Sequence, residues 1–243
     1  MRAFPLLCGF FLLISLGNLC AEQSPEMRPA LFETGPKSLI NLINTESLMK
    51  RGQTDAMVMF SCGVNYLGRC YNMVTYRGTP NSTLLAEEAV NNLKRAAFIP
   101  AIYNYKPRNA VVAGTIIFRV INGKPHLRIY LNQEAEHLKQ GDDFISPQWV
   151  YIESTYKPFQ MPNQGIGYSA TVVLKLNVDA TGKLTGSNLL FETPPGKGFG
   201  AQVLGKIGAQ TFLPGYLHGK PVACATTFQL VSQPYGRDHW KPD

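Results

Sequence analysis

The chain has no apolar stretch long enough for an ordinary transmembrane helix, which needs about 20 residues. Its longest such run, residues 4–16, lies near the N-terminus, behind a basic residue and ahead of small ones. That order is typical of an export signal with cleavage after Gly17 or Ala21. We therefore expect residues 1–21 to be a signal peptide. An uncleaved segment that anchors the protein in a membrane is the alternative.

Charged residues are also few, at 16% of the chain, and the basic ones are scattered along it. The formal net charge of +7 falls to +6 when Arg2 leaves with the leader. A nucleic-acid-binding protein normally gathers its basic residues on one face, so we expect no nucleic-acid partner. The remaining positive charge predicts weak attraction to anionic envelope surfaces, with further membrane contact only if the leader is retained.

Residue patterns for catalysis are missing. The chain has four histidines, which are His126, His137, His218 and His239. None accompanies a Ser, Cys or acidic residue in a pattern that indicates a triad, and we expect each to lie at the surface. The spacing of Glu134, Glu136 and His137 matches no strong metal-ligand pattern. The sequence thus predicts no enzyme activity, no catalytic residue, no metal and no cofactor.

What the sequence does have is an internal repeat with a constant offset of 114 residues. Residues that fix turns, helix ends and core plugs recur in one register: Gly68, Thr79-Pro80, Phe98-x-Pro100 and Lys106-Pro107 return as Gly182, Thr193-Pro194, Phe212-x-Pro214 and Lys220-Pro221. We therefore expect two copies of one domain. The predicted divisions are a signal peptide at 1–21, copy one at 38–131, a linker at 132–160, copy two at 161–232 and a polar tail at 233–243.

Each copy predicts the same order of elements. Residues 170–178 alternate between apolar and polar side chains, which indicates a half-buried strand. A tight turn that ends at Gly182 leads into a second strand. The apolar residues after that strand recur at helical spacing, which predicts a helix. Copy one repeats these elements from Ala56 to the helix before Phe98. The third strands are predicted at 110–121 and 222–232.

In each copy, one proline and one phenylalanine are expected where the helix ends against its sheet. Pro100 and Pro214 end the helices, since Pro cannot continue one. Phe98 and Phe212 are expected to fill the space between helix end and sheet as structural core residues. The fold class that follows is α+β, with two β-β-α-β domains. Each is a small, antiparallel-dominated sheet of strand order 2-1-3 with one packed helix.

Copy one carries an addition. Asn122-Gly123 is a strong hairpin signal, and the alternation from residue 126 to 131 predicts an extra strand beside the third. Between the copies, residues 132–140 are compatible with a short helix. Residues 148–154 either form a strand or pack the linker, and the pattern leaves both open.

Three cysteines remain after the leader, namely Cys62, Cys70 and Cys224. Cys62 and Cys70 flank the first turn of copy one, and an oxidising compartment permits a disulfide between them. The matching positions of copy two hold Leu176 and Leu184, which favours two small buried hydrophobic residues over a disulfide.

The stretch from Ala170 to Gln229 resembles the C-terminal domain of TonB, the periplasmic protein that links an inner-membrane motor to outer-membrane receptors. The shared features are the alternating strand, the Asp179-x-x-Gly182 turn, Phe212-x-Pro214 and Gly219-Lys220-Pro221-Val222. Copy one resembles the same domain more weakly. The resemblance implies a protein of the periplasm or cell envelope of a Gram-negative-type bacterium, associated with outer-membrane transport. The chain departs from energy-transducing members, because its first 21 residues lack a histidine and no Pro-rich spacer follows them.

The third strand of copy two is the predicted binding site. It carries no charge from Val222 to Ser232, and a strand at the edge of a sheet can accept an extended peptide by strand addition. The resemblance implies the same, since family members receive a short receptor segment there. The candidate partner-binding residues are Val222, Cys224, Thr226, Phe228 and Leu230. A structural protein whose repeats pair with each other, or with a second molecule, is the competing hypothesis.

Overall fold

The structure is a computed structural model that describes residues 26–152 and 170–232. The predicted signal peptide, the end of the predicted linker, the first residues of copy two and the polar tail lie outside this part. Among the described residues, no helix is long and apolar enough to cross a membrane.

The described chain is rich in strands, and its helices are short. The strands before the gap are β1 (Met27–Arg28), β2 (Leu31–Phe32), β3 (Ala56–Val64), β4 (Cys70–Gly78), β5 (Phe98–Ile99), β6 (Ala101–Tyr103), β7 (Lys106–Arg108), β8 (Ala110–Ile121), β9 (Lys124–Tyr130), β10 (Phe144–Ile145) and β11 (Gln148–Val150). Those after it are β12 (Ala170–Val178), β13 (Leu184–Thr193), β14 (Thr211–Leu213), β15 (Gly215–Leu217), β16 (Lys220–Val222) and β17 (Cys224–Ser232). The α-helices are α1 (Leu39–Leu42), α2 (Thr45–Lys50), α3 (Thr83–Leu93), α4 (Ala135–Leu138) and α5 (Phe199–Ile207).

Two sheets carry the main cores. In the first half β3 lies between β4 and β8, and in the second half β12 lies between β13 and β17. Within the described ranges every strand pair is antiparallel, which confirms the predicted antiparallel-dominated α+β class. The helix α3 packs on β3 and β4, and α5 packs on β12 and β13. Alternate residues of β3 and β12 face these helices and are buried, as the alternation predicted.

The turn glycines make the same contact in both halves. Gly68 and Gly182 have φ of +76° and +84°, a region that favours glycine. A Cβ at either position would overlap the backbone carbonyl oxygen of Phe98 or Phe212, respectively. Both phenylalanines are buried, at 5% and 2% exposure. The two predicted core plugs therefore lie in similar surroundings, in β5 and β14. The prediction that Pro100 and Pro214 end the helices is wrong, because α3 already ends at Leu93 and α5 at Ile207 and a short strand precedes each proline.

Each half also receives an arm of two short strands from the segment that precedes it. In the first half β1 pairs with β6 of the β6–β7 hairpin, and β2 pairs with β5. In the second half β10 pairs with β15 of the β15–β16 hairpin, and β11 pairs with β14. The arm of the second half thus lies inside the predicted linker. Residues 148–150 form a strand, which settles the alternative that the sequence left open.

The strand β11 also pairs with β8, so it joins the two halves. Trp149 lies opposite Val111 of β8 on one side and opposite Phe212 of β14 on the other. The resulting six-stranded sheet has the order β14-β11-β8-β3-β4, and β9 pairs with the remainder of β8. The β8–β9 pairing places a strand where the Asn122-Gly123 signal predicted one.

The predicted third strand of copy two, 222–232, is wrong at its start. Val222 belongs to β16, where it pairs with Gly215, and the strand beside β12 begins only at Cys224. The reason is the hairpin turn at His218 and Gly219, both at positive φ, which folds Val222 back onto β15. Val222 therefore leaves the candidate edge strand.

Candidate functional site: a cleft beside an edge strand

A cavity of about 660 Å³ lies between faces of the two sheets that do not carry the helices. On β3, Met57 and Met59 alternate with the core residues, and on β12, Thr171 and Val173 do the same. This volume falls within the range of small-molecule and side-chain pockets. We call the cavity the cleft. Its lining residues are Met57, Met59, Tyr76, Arg77, Gln133, Glu134, Ala135, Leu138, Thr171, Val173, Leu190, Phe191, Thr227 and Gln229.

Glu134 ties the two halves together at one wall of the cleft. Its carboxylate accepts a hydrogen bond from Lys175 Nζ at 2.6 Å and another from Thr227 Oγ1 at 2.7 Å. Burial alone would raise the pKa of Glu134. The bonds from Lys175 and Thr227, with the nearby positive charge, outweigh burial and lower the pKa below its ordinary value. The ion pair is thus a folded-state contact that requires an ionised carboxylate.

Replacing Glu134 by Gln is expected to lower the free energy of unfolding by about 1 kcal/mol at neutral pH, because it removes a partly buried charge pair. Because the folded-state pKa is depressed, this stabilisation is present above the unfolded value and disappears as pH falls through the folded one. Urea titrations near pH 7 and pH 3 measure the free energy of unfolding of Glu134→Gln and of the unmodified chain. The difference between the two free energies should be smaller at pH 3 than at pH 7.

The matched control is Glu87→Gln, since Glu87 is 59% exposed and lies 3.5 Å from Arg51. An exposed pair contributes little, so we expect a change under about 0.5 kcal/mol at both pH values. Equal differences for Glu134→Gln at the two pH values would contradict the assigned ion pair.

The cleft also holds polar groups without partners. Gln133 is 6% exposed; its Nε2 donates to the Phe60 carbonyl oxygen at 3.1 Å, while its Oε1 has no hydrogen-bond partner. The Oε1 of Gln229 likewise has none. Burial raises the pKa of Tyr76, with a hydrogen bond from Gln133 partly offsetting it, so its hydroxyl stays neutral. The cleft is thus mainly apolar, and the unpaired oxygens of Gln133 and Gln229 are buried behind its walls.

The strand β17 forms one wall of the cleft and one edge of its sheet. Thr227 and Gln229 point into the cleft. The predicted partner-binding residues Thr226, Phe228 and Leu230 face the other way and are buried, at 6%, 7% and 3% exposure. Their side chains therefore do not meet a partner on that face, and strand addition could use only their backbone. What β17 offers outward is its backbone edge and the cleft-facing side chains.

Two of the predicted edge residues have other structural roles. Phe228 meets Trp149 edge-on, with ring centroids 5.8 Å apart. Cys224 lies against Gly215, whose backbone N–H bonds to its sulfur, and burial raises the pKa of the thiol to about 11. A thiol with that pKa is a poor nucleophile at neutral pH.

The histidines, by contrast, remain without a catalytic arrangement in the described part of the chain. His126 lies on β9, and the exposed His218 has its Nδ1 3.2 Å from an Asp143 carboxylate oxygen. His137 is buried, not at the surface as predicted, because its ring stacks on Phe144 at 3.9 Å; this burial lowers its pKa. His239 lies outside the described residues. Those residues contain no group of His, Cys, Asp and Glu that could hold a metal ion.

Cys62 and Cys70 are free thiols that contact each other. The hydrogen bond with Cys70 and complete burial raise the pKa of Cys62. Cys62 thus behaves as the small buried residue that the sequence favoured, whereas Cys70 is half-buried. Neither thiol lines the cleft.

Protein-family models, curated proteins and solved structures were each compared with this chain, and none matches it.

Proposed function

We propose that the chain is an exported protein of the cell envelope, built from two divergent TonB C-terminal-like β-β-α-β repeats, that acts through protein–protein contacts associated with outer-membrane transport. The duplication is supported by the matching sheet orders, by the shared contact of a turn glycine with a phenylalanine carbonyl, and by the paired arms. The resemblance of residues 170–229 to the TonB domain supplies the transport association.

In this proposal copy two captures an extended peptide by strand addition to β17. The observation that carries it is that β17, nine residues long and uncharged, has β12 as its one strand partner among the described residues. Proteins usually shorten, charge or cover such an edge. An added strand bonds to the backbone, so the burial of Thr226, Phe228 and Leu230 does not oppose this mode of binding.

The alternative is a structural or assembly role in which the repeats pair with each other or with a second molecule. The strand β11, shared by both halves, and the Lys175–Glu134 contact favour it. Pairing of the repeats within one molecule leaves the outer edge of β17 unused, so that role differs from peptide capture in whether the edge binds a peptide.

The test uses heptapeptides selected from a displayed random library against the purified exported chain. Each peptide is then synthesised with a single N-methyl group at successive positions, and its affinity is measured by calorimetry. Strand addition predicts that N-methylation weakens binding by about tenfold or more at every second position and little between them, because alternate N–H groups face the sheet. Uniform sensitivity, or none, would overturn strand addition.

Proline in β17 tests the same edge from the protein side. Alternate N–H groups of a strand point to opposite edges. One of the variants Ala225→Pro and Thr226→Pro therefore removes a hydrogen bond to β12, and the other removes an N–H group from the outer edge. We expect one variant to keep the circular dichroism spectrum and melting temperature of the parent while losing the peptide. If both variants fold and bind, peptide capture occurs elsewhere.

A further inference from the structure

We propose that the outer edge of β17 receives the strand β2 of a second copy of this chain, so that molecules associate head to tail. The inference rests on the proposed strand addition to β17 and names the partner that supplies the strand. It extends to two molecules the junction that β11 makes between the two halves of one.

The first step is the junction within one molecule. The strand β11 pairs with β14 on one side and with β8 on the other, so Trp149 lies opposite both Phe212 and Val111. The Tyr151 N–H adds a hydrogen bond to the Asn109 carbonyl oxygen, at 2.8 Å. The arm that precedes copy two thus adds a strand to the outer edge of β8, which is strand addition inside one chain.

The second step is the counterpart of each partner in that junction. Phe32 of β2 lies opposite Phe98, which is the counterpart of the Phe212 that β11 faces. The strand β2 therefore corresponds to β11, and β17 corresponds to β8 by the repeat offset of 114 residues. Among the described residues, β2 pairs only with β5, and β17 pairs only with β12. The repeat thus leaves two open edges, and they correspond to the two edges that meet at the internal junction.

The third step is burial. Six residues at the internal junction are buried, namely Asn109, Ala110, Gln148, Trp149, Val150 and Leu213. Their counterparts at the open edges are half-buried or exposed, namely Ala223, Cys224, Leu31, Phe32, Glu33 and Ile99. The largest contrast is between Leu213 and Ile99, at 0% and 48% exposure. The positions that the internal junction buries are therefore less covered at both open edges, as expected for the two sides of one interface.

The fourth step is a charge that limits the strength of association. Glu33 is exposed and follows Phe32 as the buried Val150 follows Trp149. Moving an ionised carboxylate from water to such a place is costly unless the carboxylate finds a partner there, and charges at strand edges commonly oppose uncontrolled pairing. Contacts between two different surfaces form open chains or closed rings. Glu33 keeps the growth of such assemblies reversible.

The experiment is sedimentation equilibrium on the purified exported chain and on two blocked variants. Ile99→Lys places a charge on the surface beside β2. Ala225→Pro removes an N–H group from the outer edge of β17, because Asn109 and Val111 bond toward β11 and Ala225 is the counterpart of Val111. We expect the apparent mass of the unmodified chain to rise with concentration beyond that of a dimer. Each variant alone should show an association constant at least about tenfold lower.

Mixing the two blocked variants is the decisive measurement. Ile99→Lys keeps an open β17 edge, and Ala225→Pro keeps an open β2 edge, so an equal mixture should form a dimer and nothing larger. An unmodified chain that stays monomeric at about 1 mM would overturn the proposal. A mixture that does not dimerise would also overturn it. If Ala225→Pro does not fold, Ala223→Arg replaces it, since Ala223 is exposed and its counterpart Asn109 is buried at the junction.

Two further variants test the surface beside β2. Ile121→Lys is the matched control for Ile99→Lys, because Ile121 is 47% exposed and lies at the end of β8 far from the junction. It should associate as the unmodified chain does. Glu33→Val should raise the association constant about tenfold, because it restores the residue that stands at the internal junction. An unchanged constant for Glu33→Val would place β2 outside the contact and overturn the proposal.

Peptide binding to Ile99→Lys separates this inference from strand addition by an outside peptide. If the unmodified chain stays monomeric while selected peptides keep the alternating N-methyl pattern, strand addition stands and the head-to-tail contact is refuted alone. If the two blocked variants dimerise on mixing and no peptide shows the pattern, the head-to-tail contact stands and capture of outside peptides is refuted.

Discussion

Alanine at Gly68 or at Gly182 is expected to lower the free energy of unfolding by about 3 kcal/mol or more. Both positions have positive φ, which costs an L-residue about 1 kcal/mol or more. In addition, the new Cβ would overlap the carbonyl oxygen of Phe98 or Phe212. That oxygen belongs to the backbone of β5 or β14, so the short strand must move with it, and overpacking of this kind adds about 1–3 kcal/mol. Urea unfolding of each variant measures the loss.

The chain supplies matched controls for this pair. Gly123 and Gly219 have similar φ, +72° and +74°, and a Cβ at either would meet no atom within 4 Å. Gly123→Ala and Gly219→Ala therefore isolate the backbone strain and should lose about 1 kcal/mol each. If all four variants lose equal stability, the contact with the phenylalanine carbonyl contributes nothing and the repeated core plug is misassigned.

The elements predicted best are those that short-range chemistry determines. The alternation from Ala170 to Val178 matches β12 at both ends. Asp179 accepts hydrogen bonds from the N–H groups of Thr181 and Lys183, which closes the predicted turn. Asn65 makes the equivalent bonds in the first half. Strand periodicity and turn residues act within about ten positions, so the sequence displays them directly.

Long-range pairings, by contrast, left little trace in the sequence. The first-half arm is held by two bonds between the Gln148 side chain and the backbone of Ala30, which lie 118 residues apart. The arms β1–β2 and β10–β11 are too short to show periodicity and do not share the 114-residue offset. The cleft was missed for the same reason, since it exists only where the two halves face each other. Its one available signal was a pair of adjacent polar residues, Gln133 and Glu134.

Helix α5 shows how tertiary contacts override local preference. Its glycines argue against a helix on propensity alone. Gly200, however, lies so close to Leu189 of β13 that a Cβ would overlap that side chain, and its N–H donates to the Glu192 carboxylate at 2.7 Å. The backbone bonds hold the pKa of Glu192 low. Glu192, a residue of β13, thus caps the helix. The repeat could not predict this cap, because the equivalent position of copy one is Gly78, which has no side chain.

Replacing Trp149 by Ala is expected to destabilise the protein by about 3–5 kcal/mol, as for other large aromatic side chains removed from a core. Trp149 is 4% exposed, lies on the strand shared by both halves and packs edge-on against Phe228. The second half should lose more stability than the first, because the Trp149 ring contacts the core of the second half. We expect calorimetry to show the second half unfolding before the first, where the unmodified chain unfolds in one transition.

Tyr66→Ala is the control for this variant, because Tyr66 is an aromatic residue that is 50% exposed and does not belong to the core. It should change stability by no more than about 0.5 kcal/mol and keep a single transition. If Trp149→Ala also unfolds in one transition with a small loss, the halves are coupled by the Lys175–Glu134 contact rather than by β11. The cleft would then depend on that ion pair and weaken in acid. If the expected uncoupling is found, β11 couples the two halves, and this coupling should persist at low pH.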